Sequence, residues 1–288
     1  MPELPEVETV RRGLAELLPG RTVVAAREID SPKSFPNTKS DIDQFLIDAH
    51  IIDVRRRAKV LMIDLSSEYT LVIHLKMTGQ LVFRGKTNFG AGHPNDSLIG
   101  ELPDRSTRVV IDFSDGSHLY FNDQRKFGWV KLMPSIEVPE IDFMKKVGPE
   151  PLEADFSPEE FQNRFKRRSK TNIKAALLDQ TVVAGVGNIY ADESLWGARI
   201  DPRRLVKDIT DDEFLLLYNE LRAVMNLAIE KGGSTDKNYV NAEGKRGSYM
   251  DFARVFRREG QACPRCGDTI VKIRHAGRGT HFCQTCQK

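Results

Sequence analysis

The sequence predicts an α+β protein of several domains: an amino-terminal helix with a β-sandwich, then a helical domain, then a small β-hairpin that carries cysteines. Three observations favour this order. Short β-branched runs separated by turns dominate the first half, apolar residues then recur at helical spacing, and all four cysteines lie near the carboxyl end. The 288 residues are enough for at least two packed domains.

The amino-terminal part combines one helix with many strands. Val7, Val10 and Leu14 lie on one helical face, and Pro19-Gly20 ends that pattern. Residues 86–104 are rich in Gly, Asn and Pro and predict a long loop, and the prolines between 134 and 151 predict a hinge. Eight strands are predicted at 22–28, 51–54, 60–65, 70–75, 80–83, 108–113, 118–121 and 129–132.

Helix-start signals mark the part beyond the hinge. Ser157-Pro158 favours one helix start, Thr171 is expected to cap the next helix, and Thr210 to Glu213 form a capping box before a long helix that ends near Gly232-Gly233. The predicted domains are residues 1–134, a hinge at 135–150, a helical domain at 151–244 whose loop begins at about 233, and 245–288.

The charge is unevenly distributed along the chain. The formal net charge is only +2, but residues 245–288 carry ten basic and three acidic residues, a balance of +7, which leaves −5 for the remainder. A basic region on a nearly neutral body is compatible with a polyanionic partner. No stretch approaches 18 uncharged apolar residues and no charged-then-apolar leader is present, so we expect a cytoplasmic protein without a membrane span.

The cysteines form two CxxC pairs, Cys263/Cys266 and Cys283/Cys286, with sixteen residues between the pairs. This spacing favours one tetrahedral structural Zn²⁺ per chain, with a β-hairpin between the two knuckles. Two disulfides are the alternative, as in a secreted stapled domain. The absence of cysteine elsewhere and of a leader favours zinc, and metal binding would then supply much of the folding free energy of this segment.

Pro2 is the first residue whose chemistry suggests catalysis. Removal of the initiator Met would leave a secondary α-amine, which titrates about two pH units below a lysine. Such an amine is a nucleophile without extreme pKa tuning, and its iminium keeps a positive charge that draws electrons in eliminations. Glu3 and Glu6 lie close enough in sequence to act as a general acid, although acids at a helix start also favour the dipole.

A helix, two-turn, helix arrangement is predicted around Gly185-Val-Gly-Asn188. Backbone N–H groups at the start of the second helix suit a phosphate, and Asn188 is expected both to cap that helix and to contact the ligand. Lys170 and Lys174 are expected to add positive charge on the preceding helix. The alternative is a plain helical hairpin with a solvated basic face.

Seven dispersed motifs carry a resemblance to a known family. The start PELPEVETVRRGL resembles that of the bacterial formamidopyrimidine-DNA glycosylases, and both cysteine pairs match as well. The other matching segments are His74 to Gly79, Asn122 to Gly128, Gly148 to Pro151, Gly185 to Glu193, Gly232 to Thr235 and Gly277 to Thr280. The resemblance therefore spans nearly the whole chain.

The resemblance implies a role for individual residues. Pro2 matches the nucleophile that attacks the sugar C1′, Glu3 the acid that assists opening of the sugar ring, and Lys59 a lysine near the reacting nucleotide. Arg278 matches the zinc-finger arginine that grips the phosphates beside the lesion and is credited with the last elimination. A bidentate guanidinium suits the phosphate role. The implied DNA contacts are His74, Lys170, Lys174, Asn188 and the base-stack wedge of Met77, Arg125 and Phe127.

Some segments depart from the family pattern. The family has a His-x-His stretch where this chain has Ser106-Thr107-Arg108, so Arg108 is expected to replace one phosphate contact. Residues 86–104 and 250–252 are also unusual. Residues 233–249 resemble the loop that closes over the everted base.

The function implied is that of a monomeric base-excision repair enzyme. It would remove oxidised purines such as 8-oxoguanine and formamidopyrimidines from double-stranded DNA, and cleave the abasic strand by β- and δ-elimination. Two alternatives remain. An endonuclease VIII-like glycosylase for oxidised pyrimidines usually starts Pro-Glu-Gly-Pro, against which Leu4 argues. A non-catalytic zinc-dependent DNA-binding protein would have no use for Pro2, Glu3 and Lys59 together.

Overall fold

The structure is a computed structural model that describes residues 2–234 and 248–288. The described residues form two compact units, the first within Met1–Lys145 and Lys231–Ser248, the second within Lys146–Glu230 and Tyr249–Lys288. The cysteine-bearing segment and the helical segment, predicted as separate domains, thus belong to one unit. None of the helices in the described ranges is long and apolar enough to cross a membrane.

In the described part of the first unit, the strands form two antiparallel sheets. The strands are β1 (Val23–Glu28), β2 (Ile51–Arg57), β3 (Val60–Leu65), β4 (Tyr69–His74), β5 (Gly79–Arg84), β6 (Phe89–Gly92), β7 (Thr107–Phe113), β8 (His118–Asp123) and β9 (Trp129–Pro134). One sheet has the order β1-β7-β8-β5-β6 and the other β2-β3-β4-β9. The eight predicted strands are therefore present.

The main core lies between these two sheets. Side chains alternate along a strand, so Leu61 and Ile63 of β3 and Val109 and Ile111 of β7 enter the same apolar cluster. Helix α1 (Leu4–Leu17) adds its apolar face to that cluster. The predicted helix with a β-sandwich is confirmed, and the helix start that carries Pro2 and Glu3 is fixed by core packing.

Three short elements were missed by the sequence patterns. Helix α2 (Lys39–Phe45) was not predicted, strand β6 lies inside the expected long loop, and helix α3 (Asp142–Lys146) lies inside the expected hinge. Helix α2 begins with a local capping box of Thr38 and Asp41, whereas β6 depends on tertiary contacts. Strand β6 pairs with β5, and a Cβ on Gly13 would come within 2.2 Å of the Phe89 ring, so that ring packs directly against the backbone of α1.

The second unit contains four α-helices and one hairpin in its described residues. These are α4 (Pro158–Lys166), α5 (Ile173–Leu178), α6 (Asn188–Gly197), α7 (Asp211–Glu230), β10 (Val271–His275) and β11 (Arg278–Phe282). The cap at Ser157 and the capping box of Thr210 with Glu213 are confirmed. The expected cap at Thr171 is wrong: the Asn172 side chain accepts the Ala175 N–H instead.

A buried carboxylate ties α1 to the four-stranded sheet. Glu8 pairs with Arg11 at 2.8 Å and Arg12 at 2.9 Å on its own helix, and with Arg56 of β2 at 3.0 Å. Burial alone would raise the pKa of Glu8, but hydrogen bonds from the three guanidinium groups lower it to about 2. The ionised form is therefore the one that the fold stabilises.

We expect Glu8→Gln to lower the free energy of unfolding at neutral pH by about 1–2 kcal/mol, after allowance for solvent screening. The pKa of about 2 in the folded protein lies below the ordinary value of 4.5. The contribution is therefore complete above pH 4.5 and is lost as the pH falls towards 2. Urea denaturation across this pH range measures it. The exposed Glu16→Gln is the control, and equal effects of both substitutions would contradict the prediction.

Candidate functional site

The start of α1 buries Pro2 and Glu3. Glu3 is 3% exposed, and its backbone N–H donates to Oε2 of Glu6 at 2.7 Å. The other carboxylate oxygen of Glu6 accepts the N–H of Ser234 at 2.7 Å. Gly233 adopts φ +87°, and a Cβ there would lie 3.0 Å from the Glu6 side chain. Glu6 thus joins the helix start to the residues that lead into the predicted lesion loop, most of which lies outside the described residues.

Lys59 and His74 occupy neighbouring strand ends. Lys59 is 7% exposed in the turn between β2 and β3, and Val60 pairs with His74 at the end of β4. Burial lowers the pKa of His74 to about 3, with further lowering by the charges of Lys76 and Lys59. Because the Lys76 N–H donates to Nδ1 of His74 at 3.0 Å, the neutral ring carries its proton on Nε2. His74 can therefore act as an uncharged hydrogen-bond donor.

Two loops of the first unit carry the predicted wedge, and one carboxylate holds both. Asp123, at the end of β8, is fully buried. One oxygen accepts the hydroxyl of Thr78 in the loop after β4, and the other accepts the N–H groups of Phe127 at 2.8 Å and Gly128 at 2.6 Å. The Arg125 N–H donates to the Thr78 hydroxyl at 3.1 Å. The loops that contain Met77 and Arg125 are thereby fixed to each other.

The wedge side chains themselves face outward to different degrees. The Phe127 side chain lies 53% exposed, and the Arg125 guanidinium stacks 4.7 Å above its ring. Met77 is half-buried. Gly128 permits the tight turn, since a Cβ there would lie 2.7 Å from the Phe121 ring. An exposed phenylalanine and arginine on a rigid loop suit insertion into a base stack.

The helix-two-turn-helix arrangement is present in the second unit. The Gln180 side chain donates to the Val186 carbonyl at 2.8 Å and accepts the Gly185 N–H at 2.9 Å, which makes the turn between α5 and α6 rigid. Gly187, not Asn188, is the N-cap of α6, so the predicted capping role of Asn188 is wrong. The Asn188 amide instead donates to the carbonyl of Gly279 at 3.0 Å. Lys170 is exposed beside this arrangement.

Arg278 follows the two-residue turn of the β10–β11 hairpin. Ala276 and Gly277 both adopt positive φ, 48° and 72°, as a type I′ turn requires. The register pairs His275 with Arg278. The exposed Arg278 side chain is therefore presented at the tip of a short, defined hairpin.

A buried lysine supports that hairpin from α5. Lys174 is fully buried, donates to the Thr280 hydroxyl at 2.7 Å, and pairs with Asp192 of α6 at 2.6 Å. Asp192 in turn accepts the backbone N–H of His281 at 2.9 Å. A buried pair of this kind persists because each charge is matched and hydrogen-bonded.

The four cysteine sulfur atoms fit one tetrahedral metal ion. All four lie within 4.8 Å of one another, with Cys263 and Cys286 at 3.9 Å and Cys266 and Cys283 at 3.5 Å. Zn–S bonds of about 2.3 Å place tetrahedral sulfurs about 3.8 Å apart, whereas a disulfide needs about 2.05 Å. The donor set and spacing suit zinc and exclude the disulfide alternative in this arrangement.

Comparison with known proteins assigns the chain along its whole length. Three family descriptions match: the formamidopyrimidine-DNA glycosylase N-terminal domain over residues 1–130, the H2TH domain of the same glycosylase over 147–239, and the zinc finger found in FPG and IleRS over 260–288. The chain belongs to the formamidopyrimidine-DNA glycosylase family. Its resemblance at the seven motifs is thereby confirmed, and the four-cysteine cluster is the structural zinc site of the matching zinc finger.

Relatives of this glycosylase family match the chain end to end. The formamidopyrimidine-DNA glycosylase of Pelotomaculum thermopropionicum is 42% identical and that of Carboxydothermus hydrogenoformans 39%; each covers all of this chain, which covers 99% and 100% of them. Among solved structures, the Lactococcus lactis enzyme in complex with abasic-site DNA matches at a TM-score of 0.86, with 33% identity and 99% of each chain covered. The same enzyme with N7-benzyl-Fapy-dG DNA also gives 0.86, with 33% identity and 100% coverage of both chains.

Two of the predicted DNA contacts in this family member are buried. Arg108 is 4% exposed, and its guanidinium donates to the carbonyls of Asp123 at 2.9 Å, Thr107 at 3.1 Å and Arg105 at 2.8 Å. These bonds hold the segment where the family has His-x-His. Lys174, expected as a surface charge, is likewise committed to the hairpin. Both side chains form hydrogen bonds inside the protein that hold the surface segments above them. The expectation that they contact phosphate directly is therefore corrected.

The zinc site has a support that the sequence patterns did not reveal. The Trp196 indole N–H, on α6, lies 3.4 Å from Sγ of Cys263. Arg265, between the first two cysteines, stacks 3.9 Å over the same indole and donates to the Trp196 carbonyl at 3.0 Å. A donor to a ligating thiolate orients the ligand and reduces the charge that it places on the metal. The spacing of the cysteines does not indicate that a tryptophan N–H contacts one of them. Spacing likewise does not indicate that Asp123 binds the two wedge loops.

We expect Asp123→Ala to lower the free energy of unfolding by about 1–3 kcal/mol, because loss of the carboxylate leaves the N–H groups of Phe127 and Gly128 without their acceptor. Urea denaturation measures this effect, and hydrogen exchange at the two N–H groups locates it. The neighbouring exposed residue supplies the control, Gln124→Ala. Unchanged exchange at Phe127 and Gly128 would show that Asp123 does not hold the loop.

We expect Trp196→Phe to release zinc to a chelator about tenfold faster than the unaltered protein. Phenylalanine keeps an aromatic face for Arg265 but has no N–H to donate to Cys263. The release is followed with a colorimetric zinc indicator, and a cobalt-substituted protein should show a shifted thiolate-to-metal absorption band. The same substitution at the other tryptophan, Trp129→Phe, is the control; an identical release rate for both variants would refute the role of the N–H group.

Proposed function

We propose that this protein is a bifunctional DNA glycosylase and abasic-site lyase that excises oxidised purines from double-stranded DNA. The observation that carries the proposal is the buried start of α1, where Pro2 precedes a Glu3 that is 3% exposed, in a chain of the formamidopyrimidine-DNA glycosylase family. A buried carboxyl group beside an amino-terminal secondary amine supplies an acid and a nucleophile in one place.

The proposed reaction begins at the amine of Pro2. Its nitrogen forms a bond to C1′ of the damaged nucleotide while the glycosidic bond breaks. The base leaves with the bonding electrons and with the proton that the proline nitrogen gives up. Glu3 protonates the ring oxygen as the sugar opens, which leaves a cationic iminium. Because this cation withdraws electrons, loss of a C2′ proton expels the 3′ phosphate, and a second elimination expels the 5′ phosphate. Water then hydrolyses the iminium and restores the amine.

The remaining residues are proposed to bind and distort the DNA. Lys59 is proposed to lie beside the reacting nucleotide and the neutral Nε2–H of His74 to donate to a phosphate oxygen. Phe127 and Met77 are proposed to fill the space left by the everted base, and Arg125 to hydrogen-bond the orphaned partner base. The fixed geometry of both wedge loops supports this proposal. A disordered loop would have to become ordered on insertion, and that loss of entropy would add to the cost of unstacking the bases.

The second unit is proposed to grip the DNA backbone. Asn188, at the start of α6, and the exposed Lys170 are proposed to contact phosphates. Arg278 at the hairpin tip is proposed to hold the phosphates beside the lesion. The structural zinc maintains this hairpin. A monomer that works in the bacterial cytoplasm, associated with the nucleoid through DNA, is consistent with this chemistry.

The purine branch is favoured over the pyrimidine branch. Leu4 is fully buried as the first residue of α1, where the pyrimidine enzymes usually have glycine. The relatives reported above carry the purine enzyme's name, and one solved relative is bound to a Fapy-dG derivative. The presence of Pro2, Glu3 and Lys59 together also argues against a protein that only binds DNA.

We expect borohydride to trap the protein covalently on a duplex that contains 8-oxoguanine when Pro2 is the free amino terminus. A variant with residues added before Pro2 should form no adduct, because the nitrogen is then an amide and is not nucleophilic. Denaturing gels measure the adduct. The control carries the same added residues at the carboxyl end, and trapping of the amino-extended variant at the control's level would exclude Pro2 as the nucleophile.

A further inference from the structure

The second unit contains a cavity that the proposed reaction does not use. It has a volume of about 230 Å³ and is lined by Arg164, Arg167, Arg168, Thr181 and Val182. We name it the arginine cavity. A water molecule takes up about 30 Å³ in the liquid, so the cavity has room for one phosphate group and several waters. Three of its five lining residues are arginines, and a fourth, Thr181, carries a hydroxyl.

Two of the guanidinium groups are held in place by neighbours. Arg164 pairs with Glu160 at 3.1 Å and donates to the Thr181 carbonyl at 3.3 Å. Arg168 pairs with Asp179 at 2.9 Å and donates to the Thr181 hydroxyl at 3.1 Å. Each guanidinium has five N–H donors, so these bonds orient the groups and leave further donors for a ligand.

Arg167 differs from its neighbours. It is exposed and forms no ion pair with any residue of the described ranges 2–234 and 248–288. Three guanidinium groups against the two carboxylates that pair with them leave one net positive charge at the arginine cavity. The dipole of α4 accounts for cations in its last turn, such as Arg164. Arg167, the C-cap, and Arg168, which follows it, lie at the same end of the dipole, and Arg168 also bonds the turn between α5 and α6.

The position of the arginine cavity indicates its ligand. Thr181 lies in the turn between α5 and α6, and the preceding Gln180 holds that turn through Gly185 and Val186, just before Asn188. The cavity and the start of α6 are therefore parts of one rigid segment. We infer that the arginine cavity binds a backbone phosphate of duplex DNA, in addition to the phosphate proposed to contact Asn188.

This inference rests on the proposed function, because it requires that the protein bind duplex DNA. A phosphate carries no base identity, so the contact acts equally on damaged and undamaged DNA. Each phosphate neutralised on B-form DNA releases condensed counterions and adds about 0.9 to the slope of log affinity against log salt concentration. The slope therefore counts the contact directly.

The test measures binding of an undamaged duplex by fluorescence anisotropy over a series of salt concentrations. We expect Arg167→Gln to reduce the slope by about 0.9 and Arg167→Lys to retain it, because the charge is kept. Lys207→Gln removes an equal charge from an exposed position in the same unit and should leave the slope unchanged.

The outcomes separate the inference from the proposed function. If the wild-type protein binds with a clear salt slope that Arg167→Gln does not change, the arginine cavity holds no phosphate and the inference is wrong. The same follows if Lys207→Gln reduces the slope equally, since net charge alone then explains the loss. Failure of the wild-type protein to bind duplex DNA would overturn the proposed function itself.

Discussion

Buried carboxylates that accept backbone N–H groups hold the exposed loops of both units. In the first unit, Asp123 fixes the two wedge loops. In the second, Glu193 of α6 is fully buried and accepts the N–H groups of Arg254 at 2.8 Å, Val255 at 2.9 Å and Phe256 at 2.8 Å. Burial raises the pKa of Glu193 above its ordinary value, although the hydrogen bonds from these N–H groups oppose the shift. A charge without such partners would cost several kcal/mol of folding free energy, so loop position and fold stability depend on the same few bonds.

Helix α6 joins the zinc site to the helix-two-turn-helix arrangement. Trp196 at the end of α6 contacts the Cys263 thiolate, and Asn188 at the start of the same helix contacts the hairpin that carries Arg278. Helix α6 therefore meets the cysteine-bearing segment at both of its ends. This explains why the two segments form one unit although their sequence signatures are separate.

Sequence patterns predicted the parts of this protein whose signals are local. Alternation revealed the eight strands, and the cysteine spacing revealed the zinc site. Sequence patterns failed where tertiary contacts determine the structure. Strand β6 exists because it pairs with β5. Arg108 is buried because it donates to backbone carbonyls, and Lys174 is buried because it binds a hydroxyl and a carboxylate distant in sequence. Positive charge in a sequence does not say whether a side chain faces a ligand or supports the backbone beneath it. Asp123 could have been suspected only from its place between a buried strand and a turn glycine.

The neutral His74 has a consequence for the charge of the candidate site in mild acid. With a pKa of about 3, the imidazole keeps one proton throughout the range in which a free histidine would gain a second. Its Nε2–H therefore stays an uncharged hydrogen-bond donor as the pH falls through that range. The charge that His74 contributes to the candidate site is the same in mild acid as at neutrality.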